Sequence, residues 1–163
     1  MNTKEDTFDF QILQLTNAFY NAYPNPPYTE ILSKPARSYH CLLIQSHYDY
    51  FICIPYRSEI THKYAYMFTH SKRSVKHKSG LDYSKIVIIK NPLYLNTSDS
   101  IIDQDEYVET RSHLLRIKKE AQSFVDTYIY HISGQNILHP REFSRRYQFS
   151  PLKYFHCELG IKL

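Results

Sequence analysis

Nine consecutive residues, PYRSEITHK from Pro55 to Lys63, hold the densest set of reactive groups in the chain. Among them are a guanidinium (Arg57), two aliphatic hydroxyls (Ser58, Thr61), an imidazole (His62) and an ammonium (Lys63). No set of carboxylates with metal-ligand spacing goes with them. The inventory suits RNA cleavage in which the substrate's own 2′-hydroxyl attacks the adjacent phosphate, leaving a 2′,3′-cyclic phosphate and a 5′-hydroxyl. A protein doing this supplies no nucleophile; it moves two protons and stabilises charge on the phosphate. His62 is the natural proton carrier because an unperturbed imidazole titrates near neutrality, and Arg57 and Lys63 are suited to the charge. Ser58 and Thr61 could hold a phosphate oxygen. Each also has a plainer alternative, Ser58 as a turn hydroxyl and His62 as a surface histidine.

Other chemistries find no support. There is no HExxH, and pairs such as His70 and His77 lack a neighbouring carboxylate ligand, so no metal is expected. Cys41, Cys53 and Cys157 form no CxxC pair, and Cys53 lies inside the apolar ICI run, where a thiol is inert. Three glycines, Gly80, Gly134 and Gly160, exclude both GxGxxG and GxxxxGK[ST] loops, so no nucleotide cofactor is expected.

A second feature is the placement of charge. The net charge is +4, yet no acid lies between Glu59 and Asp82, a stretch that carries Lys63, Lys72, Arg73, Lys76 and Lys78. Ser71 to Gly80 reads as a basic loop between strands, flanked by Tyr64, Tyr66 and Tyr83. Cations for phosphates beside aromatics for unpaired bases suit single-stranded RNA. A basic loop can equally be only a solvated one. A non-catalytic RNA-binding module would use the same residues, and a protein-binding domain could use the tyrosines with the basic loop incidental.

The reactive cluster must be held in place, and its flanks say how. It leaves the hydrophobic strand YFICIPY (Tyr50 to Tyr56), which forms a hairpin with CLLI (Cys41 to Ile44). A sheet then fixes its backbone while the loop stays reachable. FDFQILQL (Phe8 to Leu15) reads as an earlier strand, with Thr16 capping a short helix that the prolines from Pro24 end. KYAYMF (Lys63 to Phe68) and KIVIIK (Lys85 to Lys90) read as further strands. Apolar positions Leu114, Ile117, Ala121, Phe124, Val125, Tyr128 and Ile129 recur at helical spacing and predict one long helix ending near Gly134. Two shorter helices are expected after Pro140 and at Ser150-Pro151. Strands first and helices later indicate an α+β fold with helices on a twisted, mostly antiparallel sheet.

At 163 residues, 42 % hydrophobic and 22 % charged, the chain fits one folded domain, 1–163. The start MNTKEDTFDF lacks the features of a signal peptide, and no run of about eighteen apolar residues occurs. A cytoplasmic protein with no membrane partner is expected.

PYRSEITHKYAYMF and KSGLDYSKIVII, with KPARSYHCLLI before and SPLKYFHCELGI at the end, resemble the type III toxin-antitoxin toxins of the ToxN, AbiQ, CptN and TenpN kind. The likeness runs through most of the chain, and GLDYSK and SPLKYFHCELGI are nearer to the CptN and TenpN branches. The resemblance implies a twisted sheet or partial barrel similar to the Kid and MazF toxins. It also implies an endoribonuclease acting on cellular or phage RNA and held inactive by a small repeated pseudoknot RNA, in some members within closed toxin-RNA rings. Ser58 matches the family's serine after the proline, and Arg57 stands where a threonine is found. Where a lysine follows two positions after that serine this chain has Ile60, so the catalytic cation falls to Lys63 or Lys85. Arg37 takes the place of another basic site residue. The expected cleavage set is Ser58, His62 and Lys63 with Arg57 and Lys85. The expected RNA contacts are Arg37, Thr61, Tyr64, Lys72, Arg73, Lys76, Lys78 and Tyr83.

Overall fold

The computed structural model describes residues 10–33, 39–96, 98 and 100–162. Its centre is strand β3 (Phe51–Arg57), in which every residue from Ile52 to Tyr56 is buried. Both faces of β3 are therefore covered, which is why this run is apolar throughout rather than alternating. Strand β2 (His40–Gln45) pairs antiparallel with it, Leu42 opposite Ile54 and Ile44 opposite Ile52, forming the expected hairpin. Strand β1 (Phe10–Gln14) adds to the far side of β2.

The other side of β3 meets two short strands placed end to end. The residues of β5 (Gly80–Asp82) lie against Tyr56 and Arg57, and β6 (Val87–Ile89) lies against Phe51 to Cys53. Between these pairings, residues 82–86 face only residues 54 and 55 of β3, and the excess is taken up by a 3-10 turn, Tyr83–Lys85. Pro55 has no N–H to give a ladder, and the partner strand leaves the sheet opposite it. Strand β4 (Ala65–Met67) pairs outside β5, giving the order β1-β2-β3-β5-β4 with β6 also on β3. Every pairing is antiparallel, and the sheet does not close into a barrel.

Gly80 is required where β5 passes β4. A Cβ there would overlap the Tyr66 carbonyl oxygen and lie 3.1 Å from Met67 Cα, both rigid backbone. Gly80→Ala should therefore cost about 1–3 kcal/mol of stability, measured by urea unfolding. An unchanged midpoint would mean that β4 gives way freely.

The helices follow their expected starts with three departures. Helix α1 (Asn17–Ala22) is capped by Thr16. The segment expected as a basic loop instead contains helix α2 (Lys72–His77), whose Ser71 cap accepts from the Ser74 N–H and whose end is turned by Lys78 at φ 48°. Helix α3 (Gln104–Ser112) has no counterpart in the sequence expectations. Helix α4 (Leu114–Ile132) buries Ile117, Ala121, Val125 and Tyr128 along one stripe and is followed by Gly134 at φ 78°. Helix α5 (Pro140–Tyr147) begins at its proline, whereas Ser150-Pro151 opens only a 3-10 turn, Pro151–Tyr154. The fold is α+β, with one apolar core joining the sheet, α1, α4 and the C-terminal segment. Among the described residues no helix is long and apolar enough to cross a membrane.

Candidate active site

The detour opposite Pro55 places one carboxylate, Asp82, beside the end of β3 with no solvent exposure. Its Oδ2 accepts from Arg57 Nη1 at 2.5 Å. Its Oδ1 accepts from the Ser84 N–H (2.9 Å) and hydroxyl (2.6 Å), and His62 Nε2 lies 3.1 Å away. A buried carboxylate without such donors would be strongly unfavourable, so this cluster is what allows Asp82 to sit there. The sequence expectations did not include Asp82.

His62 is consumed by the same cluster. Its Nδ1 accepts from the Tyr64 N–H at 3.1 Å, which places the ring proton on Nε2, facing Asp82 and the Ser84 hydroxyl at 3.2 Å. Both ring nitrogens are engaged inside the protein, so His62 acts as a strut between the reactive loop and Asp82 rather than as a ready proton carrier. Lys63 is exposed, its Nζ 5.6 Å from the centre of the Tyr64 ring, and Arg146 lies over that ring at 5.9 Å. Thr61 is exposed.

Two other expected residues are turned to structural work. Lys85 Nζ donates to the backbone carbonyls of Glu30 (3.1 Å) and Phe149 (2.8 Å), fastening two distant segments. Burial pushes its ammonium pKa down from the usual 10.5, opposed by the nearby charge of Asp82. Tyr83 is only 5 % exposed and donates to Glu120 at 2.8 Å, with burial the main cause of its raised pKa. Its ring belongs to the core and is not available to stack on a base. Arg37 lies outside the described residues.

What the fold does assemble is a polar cleft of about 210 Å³ at the end of β3, lined by Arg57, Ser58, Arg73, Tyr39, His40 and Asp103 among others. Of the expected residues it brings together Arg57, Ser58 and Arg73. His40 enters unannounced from β2, its Nδ1 2.7 Å from Ser100 Oγ. The loop bearing Ser58 is clamped to the end of α2. The Glu59 N–H donates to the His77 carbonyl, the Ile60 N–H to Lys78 (3.2 Å), and Glu59 Oε1 lies 2.7 Å from His77 Nδ1. Glu59 adopts φ 58° to make this turn.

The basic segment is not the unopposed surface that its sequence neighbourhood suggests. Glu106 of α3, 2 % exposed, accepts from Arg73 Nη2 (3.1 Å) and Nε (3.3 Å) and from the hydroxyls of Ser71 (3.0 Å) and Ser79 (2.7 Å). Glu109 accepts from the backbone N–H groups of Thr69 and His70 and from the Tyr66 hydroxyl at 2.9 Å. Asp105 accepts from the Lys72 N–H at 2.9 Å. Arg73 is thus committed to the protein, while Lys72, Lys76 and Lys78 are exposed.

Among the described residues no group of three or more His, Cys, Asp or Glu side chains is arranged to hold a metal ion. No protein-family model, curated protein or solved structure matches this chain.

Proposed function

We propose that the cleft at the end of β3 takes a phosphodiester of single-stranded RNA, and that the protein cleaves it as the toxin of a type III toxin-antitoxin pair. The supporting observation is the convergence of Arg57, Ser58 and His40 on one small polar cleft. The 2′-oxygen attacks the phosphorus, the bond to the 5′-oxygen breaks, and a cyclic phosphate and a 5′-hydroxyl result. Arg57, oriented by Asp82, carries the positive charge that the phosphorane needs. The Ser58 hydroxyl donates to a non-bridging oxygen. His40, its ring orientation fixed through Ser100, moves a proton at the 2′- or 5′-oxygen. Lys72, Lys76 and Lys78, with Lys63, supply exposed cations for neighbouring phosphates. In this reading the enzyme needs no resident metal, works in the cytoplasm on cellular or phage RNA, and is restrained by a repeated pseudoknot RNA, with ring-like assemblies as one form of the complex.

A non-catalytic RNA-binding module is the second reading, favoured by the engagement of both His62 nitrogens. Incubation with end-labelled single-stranded RNA in EDTA separates the two. Fragments with cyclic phosphate ends are expected; retardation of intact RNA would support the module, and neither result at physiological salt would remove both.

A further inference from the structure

Beside the cleft runs a wider groove of about 770 Å³, lined along α3 by Asp103, Gln104, Val108 and His113 and from the opposite side by His70 and Lys72. Asp103 lines both hollows, so a strand threaded through one meets the other. The sizes divide the work. The groove falls within the range of about 300–1,000 Å³ found for small-molecule sites, whereas the cleft has room for little beyond a phosphate and its sugar.

The carboxylates of the groove are not equivalent. Asp105 accepts from the Lys72 and Glu106 N–H groups, and Glu109 from Thr69, His70 and Tyr66. Asp103 stands at the N-cap of α3, yet its side chain makes no cap bond there, and it forms no ion pair among the described residues. An ionised carboxylate can only accept hydrogen bonds. Among the four RNA bases, only guanine presents two adjacent donors on its Watson-Crick edge, N1–H and the N2 amino group. Uracil flanks its single N–H with two acceptors, and the amino groups of adenine and cytosine each adjoin a ring-nitrogen acceptor.

We propose that this groove holds an unpaired guanine of an RNA whose neighbouring phosphate lies in the cleft. This rests on the cleft being an RNA site. Asp103 accepts from N1–H and N2–H, the exposed rings of His70 and His113 give flat faces for stacking, and Val108, half exposed, gives an apolar surface under the base. Lys72 meets the attached phosphate.

The test is a titration of the full-length protein with millimolar GMP, AMP, CMP and UMP, followed by NMR chemical-shift changes, on wild type and on Asp103→Asn. Asp103 is exposed, and circular dichroism checks that the variant folds. GMP is expected to bind about tenfold tighter than the other three, a preference that Asp103→Asn abolishes. Equal binding of all four, no binding of GMP, or an undiminished preference in Asp103→Asn would overturn the proposal. Sequencing the ends of RNA cut in EDTA tells its failure apart from that of the cleavage reading. GMP selectivity with uncut RNA keeps the base site and removes the nuclease, whereas cuts with no guanine nearby and no GMP preference do the reverse.

Discussion

Arg57→Lys and His40→Ala should each fold normally and lose RNA cleavage by about a hundredfold or more, measured under single-turnover conditions. The lysine keeps a positive charge at Arg57 but not the planar fork by which one arm holds Asp82 while the rest of the guanidinium faces the cleft. His40→Ala removes the one imidazole that lines the cleft among the described residues. Ser58→Ala loses a single neutral donor and should fall at the lower end of the range. Lys63→Ala, whose ammonium rests on the Tyr64 ring, should stay within a few-fold of wild type, since loss of one exposed cation changes RNA affinity only modestly. The His62→Ala variant gives the sharpest contrast, because a strut and a proton carrier fail differently: a lowered melting temperature marks the first, and a normal melt with a collapsed rate marks the second. Wild-type rates in folded Arg57→Lys and Ser58→Ala together would place the chemistry outside this cleft.

The largest loss of stability is expected from Asp82→Ala, about 3 kcal/mol by urea unfolding. Removing a fully buried carboxylate strands Arg57 and His62 and takes away the acceptor that shapes the Tyr83–Lys85 turn. Partial exposure of Arg57, at 27 %, lets water take up part of the orphaned charge, which keeps the figure near the low end for a broken buried pair. Asp82→Asn keeps an acceptor for Ser84 but not the charge, so it should lie between alanine and wild type. If its stability equalled wild type, hydrogen bonding alone would hold the cluster and the ion pair would contribute nothing.

The elements that were readable from the chain are those whose buried face is apolar or whose ends carry a cap. The β2–β3 hairpin showed as two β-rich runs, α4 as a stripe of period 3.6 closed by Gly134, and α1 by the Thr16 cap. Helix α3 was missed for the opposite reason, since its buried residues are Glu106, Glu109 and Thr110, which leave no apolar stripe to detect. The same helix corrects the charge reading: the acids that answer Arg73 and the Lys72 backbone lie some thirty positions away, beyond any local window.

At the site, Arg57, Ser58 and Arg73 are legible in the sequence, but their cleft-mate His40 is hidden at the head of a strand whose next four residues are apolar. Asp82 did leave a signal. Asp82 is the one acid in LDYSKIVII, a segment otherwise apolar or hydroxylic except for Lys85; in such a setting it is buried with partners, and Asp-x-Ser is the spacing of a side chain that turns its own backbone. Tyr83 and Lys85 were misassigned because composition cannot say which way a side chain points when a strand makes a detour.

The 33 positions between Arg73 and Glu106 also set a delay during translation. At about 5–20 residues per second, α2 leaves the ribosome roughly two to seven seconds before its buried acid does. For that interval Arg73 and the hydroxyls of Ser71 and Ser79 lack their native acceptor, on a nascent chain surrounded by ribosomal RNA. Closure of α3 over α2 is therefore a late event of synthesis, and Arg73 gains its buried carboxylate only after all six strands of the sheet have been made.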